Sequence, residues 1–126
     1  MQPRNIYNVE RNVSLTDKIS AGVLVDRDEL GGRLSSHIID IPPNAEYPPH
    51  EHPSEHVILL LEGDGYMRYW HRDKEHFSKL TAGDVFYVPQ NVPHQVGAYS
   101  KGAVMIATSV DSKPLTDPER MKIIQK

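Results

Sequence analysis

The chain has 126 residues, of which 38% are hydrophobic and 25% charged, with a formal net charge of −3 and no cysteine. This composition excludes a disordered chain, and the length predicts a single domain over residues 1–126. The lack of basic excess argues against a nucleic-acid partner, and the lack of cysteine excludes disulfides, thiolate metal sites and a cysteine nucleophile. No signal-peptide core and no run of ~20 apolar residues is visible, so we expect a cytoplasmic protein without a membrane partner.

The first part of the chain predicts short strands separated by turns. Residues 1–20 are polar with scattered apolar positions, which predicts an edge strand or an arm that packs on a partner. Two strands are predicted at 22–25 and 33–41, with a turn at Gly31-Gly32 between them. Pro42-Pro43 ends the second strand because proline cannot continue a hydrogen-bonded ladder.

The rest of the chain repeats this pattern. The apolar run at residues 57–61 predicts a buried strand, followed by a turn at 63–65. The further predicted strands are 66–70, 76–80, 85–88, one that opens at His94 and is interrupted at Gly97, and 103–110. In the tail, 111–126, residues 117–124 predict a short helix, with Asp117 as its cap. Short strands at this spacing predict an all-β barrel or sandwich.

Three histidines, His50, His52 and His56, lie within seven residues. Side chains two and four residues apart in an extended segment point to the same face, so the three imidazoles share one side. This arrangement is typical of half a metal site. Glu51 and Glu55 fall on the opposite face, so we expect neither to bind the metal directly, although either can brace a neighbouring imidazole.

Two spaced patterns resemble the motifs of the cupin family, in particular its small single-domain members. The first, over residues 44–63, is Asn44, five residues, His50-Glu-His52, three residues, His56, six residues and Gly63. The second, over residues 83–98, is Gly83, five residues, Pro89-Gln-Asn91, two residues, His94, three residues and Ala98. The spacing agrees with the family throughout both motifs, which together span nearly half of the chain.

The chain departs from the family motifs at four positions. Asn44 and Asn91 replace glycines, and asparagine is the natural substitute where the backbone needs a positive φ. Ala98 replaces an asparagine, so a contact common in the family is missing. His56 replaces a glutamate that is a metal ligand in the family.

The resemblance implies a cupin fold, that is, a jelly-roll β-barrel (double-stranded β-helix) with at most a short C-terminal helix, and it implies a homodimer. It also implies one divalent metal bound by His50, His52, His56 and His94, a four-histidine variant of the family's site. Manganese or iron is favoured, with zinc, nickel, copper and cobalt as alternatives. Four neutral ligands leave the ion its full charge and make it a stronger Lewis acid than a glutamate would. If the metal were tetrahedral zinc, four histidines would close the site and make it structural.

Three functions follow as alternatives. The leading hypothesis is a metal-dependent oxidoreductase of dioxygenase type acting on a small organic molecule, because cupins with only histidine ligands often bind oxygen. The second is a Lewis-acid isomerase, lyase or cyclase, and the third is a module that binds a small ligand without turnover. The sequence names no catalytic residue beyond the ligands, since it contains no Ser-His-Asp order and no phosphate-binding glycine loop.

The remaining histidines match no motif position. We expect His71 and His76 to be solvated beside a charged hairpin tip, and His37 to have a structural role in its strand. The barrel lining is expected to come partly from the following residues: Tyr66, Tyr69, Trp70, Phe86, Tyr87 and Met105.

Overall fold

The computed structural model describes residues 2–110, 113–115 and 117–125. Within these ranges the chain forms nine strands and two short 3₁₀ turns, Glu29–Gly31 and Pro118–Arg120. The strands are β1 (Val13–Ser14), β2 (Ser20–Val25), β3 (Leu34–Ile41), β4 (His50–Glu51), β5 (His56–His71), β6 (Lys74–Thr81), β7 (Val85–Val88), β8 (His94–Val110) and β9 (Lys122–Ile123). The predicted all-β class is therefore confirmed.

All strand pairings are antiparallel, and the sheet curls into a barrel around β8. The order along one path is β1-β2-β3-β8-β4-β9, while β5 pairs with β6, β7 and β8. The second half of β8 lies between β3 and the first half of β5, and its first half lies between β4 and the second half of β5. β8 therefore pairs with β3 and β4 on one side and with β5 on the other, and it connects the two parts of the curled sheet. The predicted jelly-roll barrel agrees with this arrangement.

The predicted turn at residues 63–65 is wrong, because β5 runs without a break through these residues. The register with β8 shifts between Leu60 and Glu62 and again between Gly63 and Gly65, which marks β-bulges. Gly63 has φ +90°, and a Cβ there would lie 1.9 Å from the carbonyl oxygen of Gly102. The glycines therefore bend a continuous strand instead of ending it.

The predicted interruption at Gly97 is also wrong, since β8 continues through it. A Cβ on Gly97 would lie 2.4 Å from the ring of Tyr66. The glycine makes room for this ring, which packs directly on the strand backbone. Gly97, which predicted a break in the strand, thus marks a position where the Tyr66 ring lies close to the backbone.

The predicted helix at 117–124 is reduced to the single 3₁₀ turn at Pro118–Arg120. Its capping is confirmed, because the Asp117 side chain accepts a hydrogen bond of 2.8 Å from the backbone N–H of Glu119. Beyond this turn the chain extends as β9 and pairs with β4, and the N–H of Ile124 donates to the carbonyl of Pro49. This pairing satisfies the backbone groups that a helix would otherwise have satisfied within itself.

The apolar core fills the inside of the barrel. Its most buried side chains, each at most 2% exposed, are Ile19, Ile41, Leu60, Val88 and Met105. The segment predicted as an edge strand or arm contributes Ile19 to this core and forms β1, which pairs with β2. Arg11 of the same segment makes a 3.1 Å ion pair with Asp40 on β3. β1 lies at the edge of the sheet, and packing of this segment on a partner stays a prediction.

In the part of the chain that the structure describes, no helix has the length and apolar character required to cross a membrane.

Candidate metal centre

The four motif histidines lie at one end of the barrel, three of them on different strands and one in a connection between strands. His50 on β4 is the direct cross-strand partner of His94, which is the first residue of β8. His56 is the first residue of β5, and His52 lies in the short connection between β4 and β5. All four side chains are buried, with exposures of 5%, 8%, 2% and 1% for His50, His52, His56 and His94. Strand pairing thus brings His94 to the first motif across about forty residues of sequence.

The four imidazole rings form one cluster. Ring centroids are 4.2 Å apart for His50 and His94, 4.1 Å for His52 and His56, 4.8 Å for His50 and His52, and 5.2 Å for His52 and His94. One ring nitrogen each from His50, His52 and His94 can serve as ligand atoms that lie within 4.8 Å of one another. These three side chains therefore suit a metal ion. His56 does not belong to that group of three, and its role as a fourth ligand stays a prediction.

Each of the four rings is oriented by the same kind of hydrogen bond. Its Nδ1 lies next to a backbone carbonyl oxygen, which can only accept, so the proton of the neutral ring is on Nδ1. The pairs are His50 with Pro48 (2.8 Å), His52 with Arg120 (3.2 Å), His56 with Ser54 (3.1 Å) and His94 with Val92 (2.9 Å). A carbonyl bond of this kind fixes the tautomer and the ring orientation in histidine metal sites. The Nε2 lone pair of every ring is consequently available for a metal.

Two further properties of the four imidazoles suit metal binding. The Nε2 of His56 is buried and has no hydrogen-bond partner, and a buried polar atom without a partner is costly. Burial lowers the pKa of all four rings, His56 to about 4, because the charged form is desolvated. The neighbouring imidazoles contribute to lowering the pKa of His50 and His52. Neutral imidazole is the form that binds a metal, so the residues present fit a divalent ion.

A cavity of about 260 Å³ opens directly on the histidines. Its wall is mainly apolar and comprises Leu15, Ile39, Ile58, Val96, Met105 and Leu115. The tail closes one side, since Asp117, Pro118, Arg120 and Met121 also line the cavity. The volume lies slightly below the ~300–1,000 Å³ usual for small-molecule sites, so a compact ligand fits best.

Two polar residues of this cavity were not predicted from the sequence. Tyr47 is 6% exposed, and its ring packs edge-on against His50 with centroids 4.6 Å apart. Arg120 is 7% exposed and lies in the tail, where the sequence predicts a helix. Burial raises the pKa of the Tyr47 phenol, an effect that the charge of Arg120 partly opposes, and burial lowers the pKa of Arg120 to about 10. No local sequence pattern indicates either residue. Arg120 reaches the site because β9, which follows it in the chain, pairs with β4.

The carboxylates beside the ligands face outward, as alternation predicts. Glu51 is partly exposed and Glu55 exposed, whereas the neighbouring histidines are buried. Glu55 accepts a hydrogen bond of 2.8 Å from the Tyr87 hydroxyl on the outer surface. The bonds that orient the four rings come from backbone carbonyls, so neither glutamate is their Nδ1 partner.

The other histidines lie outside the ring cluster. His71 is exposed, as expected, but His76 is half-buried and stacks on Tyr69 with centroids 4.5 Å apart. His37 is 3% exposed on β3, and its Nδ1 lies 3.5 Å from Nη2 of Arg120. Burial, followed by the charge of Arg120, lowers the pKa of His37 to about 4. His37 thus supports the cavity wall through Arg120, a structural role that agrees with the prediction.

Of the residues expected to line the barrel, Met105 borders the cavity beside the histidines. Tyr69, Phe86 and Tyr87 border a separate groove between β5 and β7. Tyr66 packs between strands instead, close to Phe77 and Tyr99. These four aromatic residues therefore lie away from the histidine cavity.

Both asparagines that replace motif glycines have positive φ, +61° at Asn44 and +58° at Asn91. The backbone N–H of Asn91 donates to the carbonyl of His52 at 2.7 Å, which ties the loop before His94 to the first motif. The expectation that asparagine replaces glycine where the backbone needs a positive φ is confirmed, since asparagine is among the residues that adopt this conformation most readily.

The family model for the cupin domain, Cupin_2, matches residues 37–111, which is more than half of the chain. Relatives from Oryza sativa subsp. japonica include putative germin-like protein 12-4, 36% identical over 90 residues (64% of this chain and 39% of that protein), and germin-like protein 8-8, 31% identical over 144 aligned positions (98% and 62%). The chain therefore spans less than two thirds of the length of these rice proteins.

Two solved structures are similar to this one over nearly the whole chain. Oxalate decarboxylase from Bacillus subtilis superposes with a TM-score of 0.78 at 17% identity, covering 94% of this chain and 30% of that one. The polyketide cyclase RemF from Streptomyces resistomycificus superposes with a TM-score of 0.76 at 18% identity, covering 100% of this chain and 87% of that one. At these identities the two structures establish a shared fold.

Proposed function

This chain belongs to the cupin family, and on that premise we propose that it is a metal-dependent enzyme that acts on a small organic molecule. The proposed ligands of a single divalent ion are His50, His52, His56 and His94. The observation that carries this proposal is the common hydrogen-bond pattern, in which every Nδ1–H donates to a backbone carbonyl and every Nε2 keeps a lone pair that can bind a metal. Four such rings in one buried cluster serve no evident packing purpose.

When bound, a divalent metal would supply Lewis acidity, and manganese or iron would add a redox couple that zinc lacks. The chain itself performs three tasks around it. The barrel wall buries the imidazoles and so keeps them neutral, the carbonyl bonds hold the rings in place, and the apolar cavity excludes water from a bound molecule. With the metal bound, the site would combine a charged ion with an apolar pocket that excludes water.

The leading form of this function is a dioxygenase-type oxidoreductase with manganese or iron. Imidazole ligands suit iron and also serve manganese where geometry and availability favour it, and the cavity beside the histidines accommodates a compact organic molecule. The test starts with elemental analysis of protein purified without added metal, followed by oxygen uptake of iron-, manganese- and copper-loaded protein with a panel of phenols and diketones. We expect uptake with at least one redox metal. Absence of uptake across the whole panel would contradict this form.

A Lewis-acid cyclase, isomerase or lyase is the second candidate, and one comparison favours it. RemF, a polyketide cyclase, matches this chain over 87% of its own length, whereas the decarboxylase match covers 30% of that enzyme. Activity of the zinc-loaded protein in the absence of oxygen would select this candidate over the first. Ligand-dependent thermal stabilisation without turnover under either condition would instead indicate a binding module.

The homodimer and the cytoplasmic location stay predictions from the sequence. Light scattering of the purified protein tests the first, with a mass of twice the 14.3 kDa chain expected for a dimer.

A further inference from the structure

His52 is oriented differently from the other three motif histidines. The rings of His50, His56 and His94 each donate to the carbonyl of the residue two positions earlier, within their own segment. The Nδ1 of His52 instead donates to the backbone carbonyl of Arg120, 68 positions later in the sequence, at 3.2 Å. The tautomer and orientation of this one ring therefore depend on where the C-terminal tail lies.

The same tail closes the cavity over the histidines. Its lining residues are Asp117, Pro118, Arg120 and Met121. The sulfur of Met121 accepts a 3.2 Å hydrogen bond from the hydroxyl of Tyr47, whose ring packs edge-on against His50. The tail thus reaches two of the proposed ligands, His52 directly and His50 through Tyr47.

The attachment of the tail to the barrel is short. β9 pairs with β4 over two residues, and the backbone N–H of Ile124 donates to the carbonyl of Pro49 at 2.9 Å. Both residues of β9, Lys122 and Ile123, are exposed, whereas β5 pairs with β8 along nearly its whole length. A short, exposed element of this kind opens locally at a lower free energy than the strands of the barrel.

We propose that residues 117–125 of the tail are a positioning element for His52. When they lie against β4, the Arg120 carbonyl holds this imidazole in the form that binds a metal, and the cavity is closed. When they open, His52 loses its carbonyl partner and the cavity opens to solvent. A bound metal and a docked tail consequently stabilise each other to the same extent, as linkage requires. The inference rests on the proposed function for the metal, but the position of the His52 proton is measurable in metal-free protein.

The test removes one hydrogen bond between the tail and the barrel. Ile124→Pro deletes the N–H that donates to Pro49 and changes no residue of the site. Ile124→Val is the matched control, because valine is close to proline in size and keeps the N–H. For each protein, NMR spectra of the imidazole nitrogens in the metal-free form show which ring nitrogen carries the proton. Zinc-binding isotherms then give the dissociation constant of the metal.

In the wild-type protein we expect the proton of all four motif histidines on Nδ1. In Ile124→Pro, His52 should lose this preference, while the other three rings keep it because their carbonyl partners lie in their own segments. Zinc affinity should fall about tenfold to a hundredfold, which is the usual effect of removing the hydrogen-bond partner of a metal-binding histidine. Ile124→Val should match the wild type in both measurements.

A disulfide tests the opposite change. Glu51 and Lys122 are direct cross-strand partners on β4 and β9, and the Cα atoms of such partners lie ~4.5–5.5 Å apart, which a disulfide can span. The chain has no cysteine of its own, so Glu51→Cys combined with Lys122→Cys forms a single defined bridge. A chelator should remove zinc about tenfold more slowly from the oxidised form than from the reduced form, because release requires the tail to open. If Ile124→Pro does not fold, this comparison decides the question alone.

A His52 proton that stays on Nδ1 in Ile124→Pro would overturn the inference, whatever the zinc affinity. An equal loss of proton position in all four rings would overturn it as well, because it would show a general loosening of the site. Equal rates of zinc removal from the oxidised and reduced forms would contradict closure by the tail. A wild-type protein that binds no metal refutes the proposed function, and the NMR data on metal-free protein still decide whether the tail positions His52.

Discussion

Acidification should destabilise the metal-free protein steeply, because its buried histidines are held neutral. His37 and His56 are 3% and 2% exposed, and burial lowers the pKa of each from 6.5 to about 4. A folded pKa below the unfolded one means that the unfolded chain takes up the additional proton as the pH falls. The stability linked to these residues is therefore present above pH 6.5 and is lost as the pH falls toward 4.

The size of the effect follows from the same two pKa values. Each of these histidines should cost roughly 1.8 kcal/mol of unfolding free energy between pH 7 and pH 5, so the two together cost roughly 3.6 kcal/mol. Burial also lowers the pKa of His50, His52 and His94, which adds to the loss in the same direction. A loss of this size is a large fraction of the ~5–15 kcal/mol that stabilises a typical domain.

Urea unfolding of chelator-treated protein at pH 7, 6 and 5, followed by the fluorescence of Trp70, measures this loss. His37→Gln should reduce the difference between pH 7 and pH 5 by about 1.8 kcal/mol, since it removes one of the two contributions. His71→Gln is the matched control, because that side chain is exposed, and it should leave the difference unchanged. Equal unfolding free energies at pH 7 and pH 5 would refute the reasoning from burial.

Three further outcomes test the site and the fold. His94→Ala should lose the metal on elemental analysis, and full metal occupancy in that variant would contradict the ligand assignment. His56→Glu should still bind a divalent metal, since glutamate is the family's residue at this position, and loss of the metal would show that the pocket is specific for imidazole. Gly63→Ala should lower the unfolding free energy by about 3 kcal/mol or more, because φ is +90° and its Cβ would lie 1.9 Å from the carbonyl oxygen of Gly102. Gly83→Ala, with φ +97° but no atom within 4 Å of its Cβ, should cost only about 1–2 kcal/mol, and equal losses for the two would exclude the steric cause.

The strands that the sequence locates well are those whose ends are marked chemically. Proline ends β3 at Ile41 and β7 at Val88, and proline acts locally through its fixed φ and missing N–H. Glycine is less informative, because it serves turns, bulges and close contacts alike. From the sequence, Gly63 and Gly97 predict ends of strands, yet both lie inside strands that continue. Glycine is needed at these positions because Gly102 and the Tyr66 ring, respectively, lie too close for a Cβ.

For the site, the sequence by itself determined the candidate ligands and the side of the chain on which they lie. The spacing of His50, His52 and His56 follows from the two-residue period of an extended chain, and the family motif adds His94. The tertiary structure alone decided what surrounds these rings. Tyr47 lies just before β4 and Arg120 just before β9, and the pairing of β4 with β9 joins segments about seventy residues apart. Such contacts depend on which strands become neighbours, and no local pattern of side chains encodes that choice.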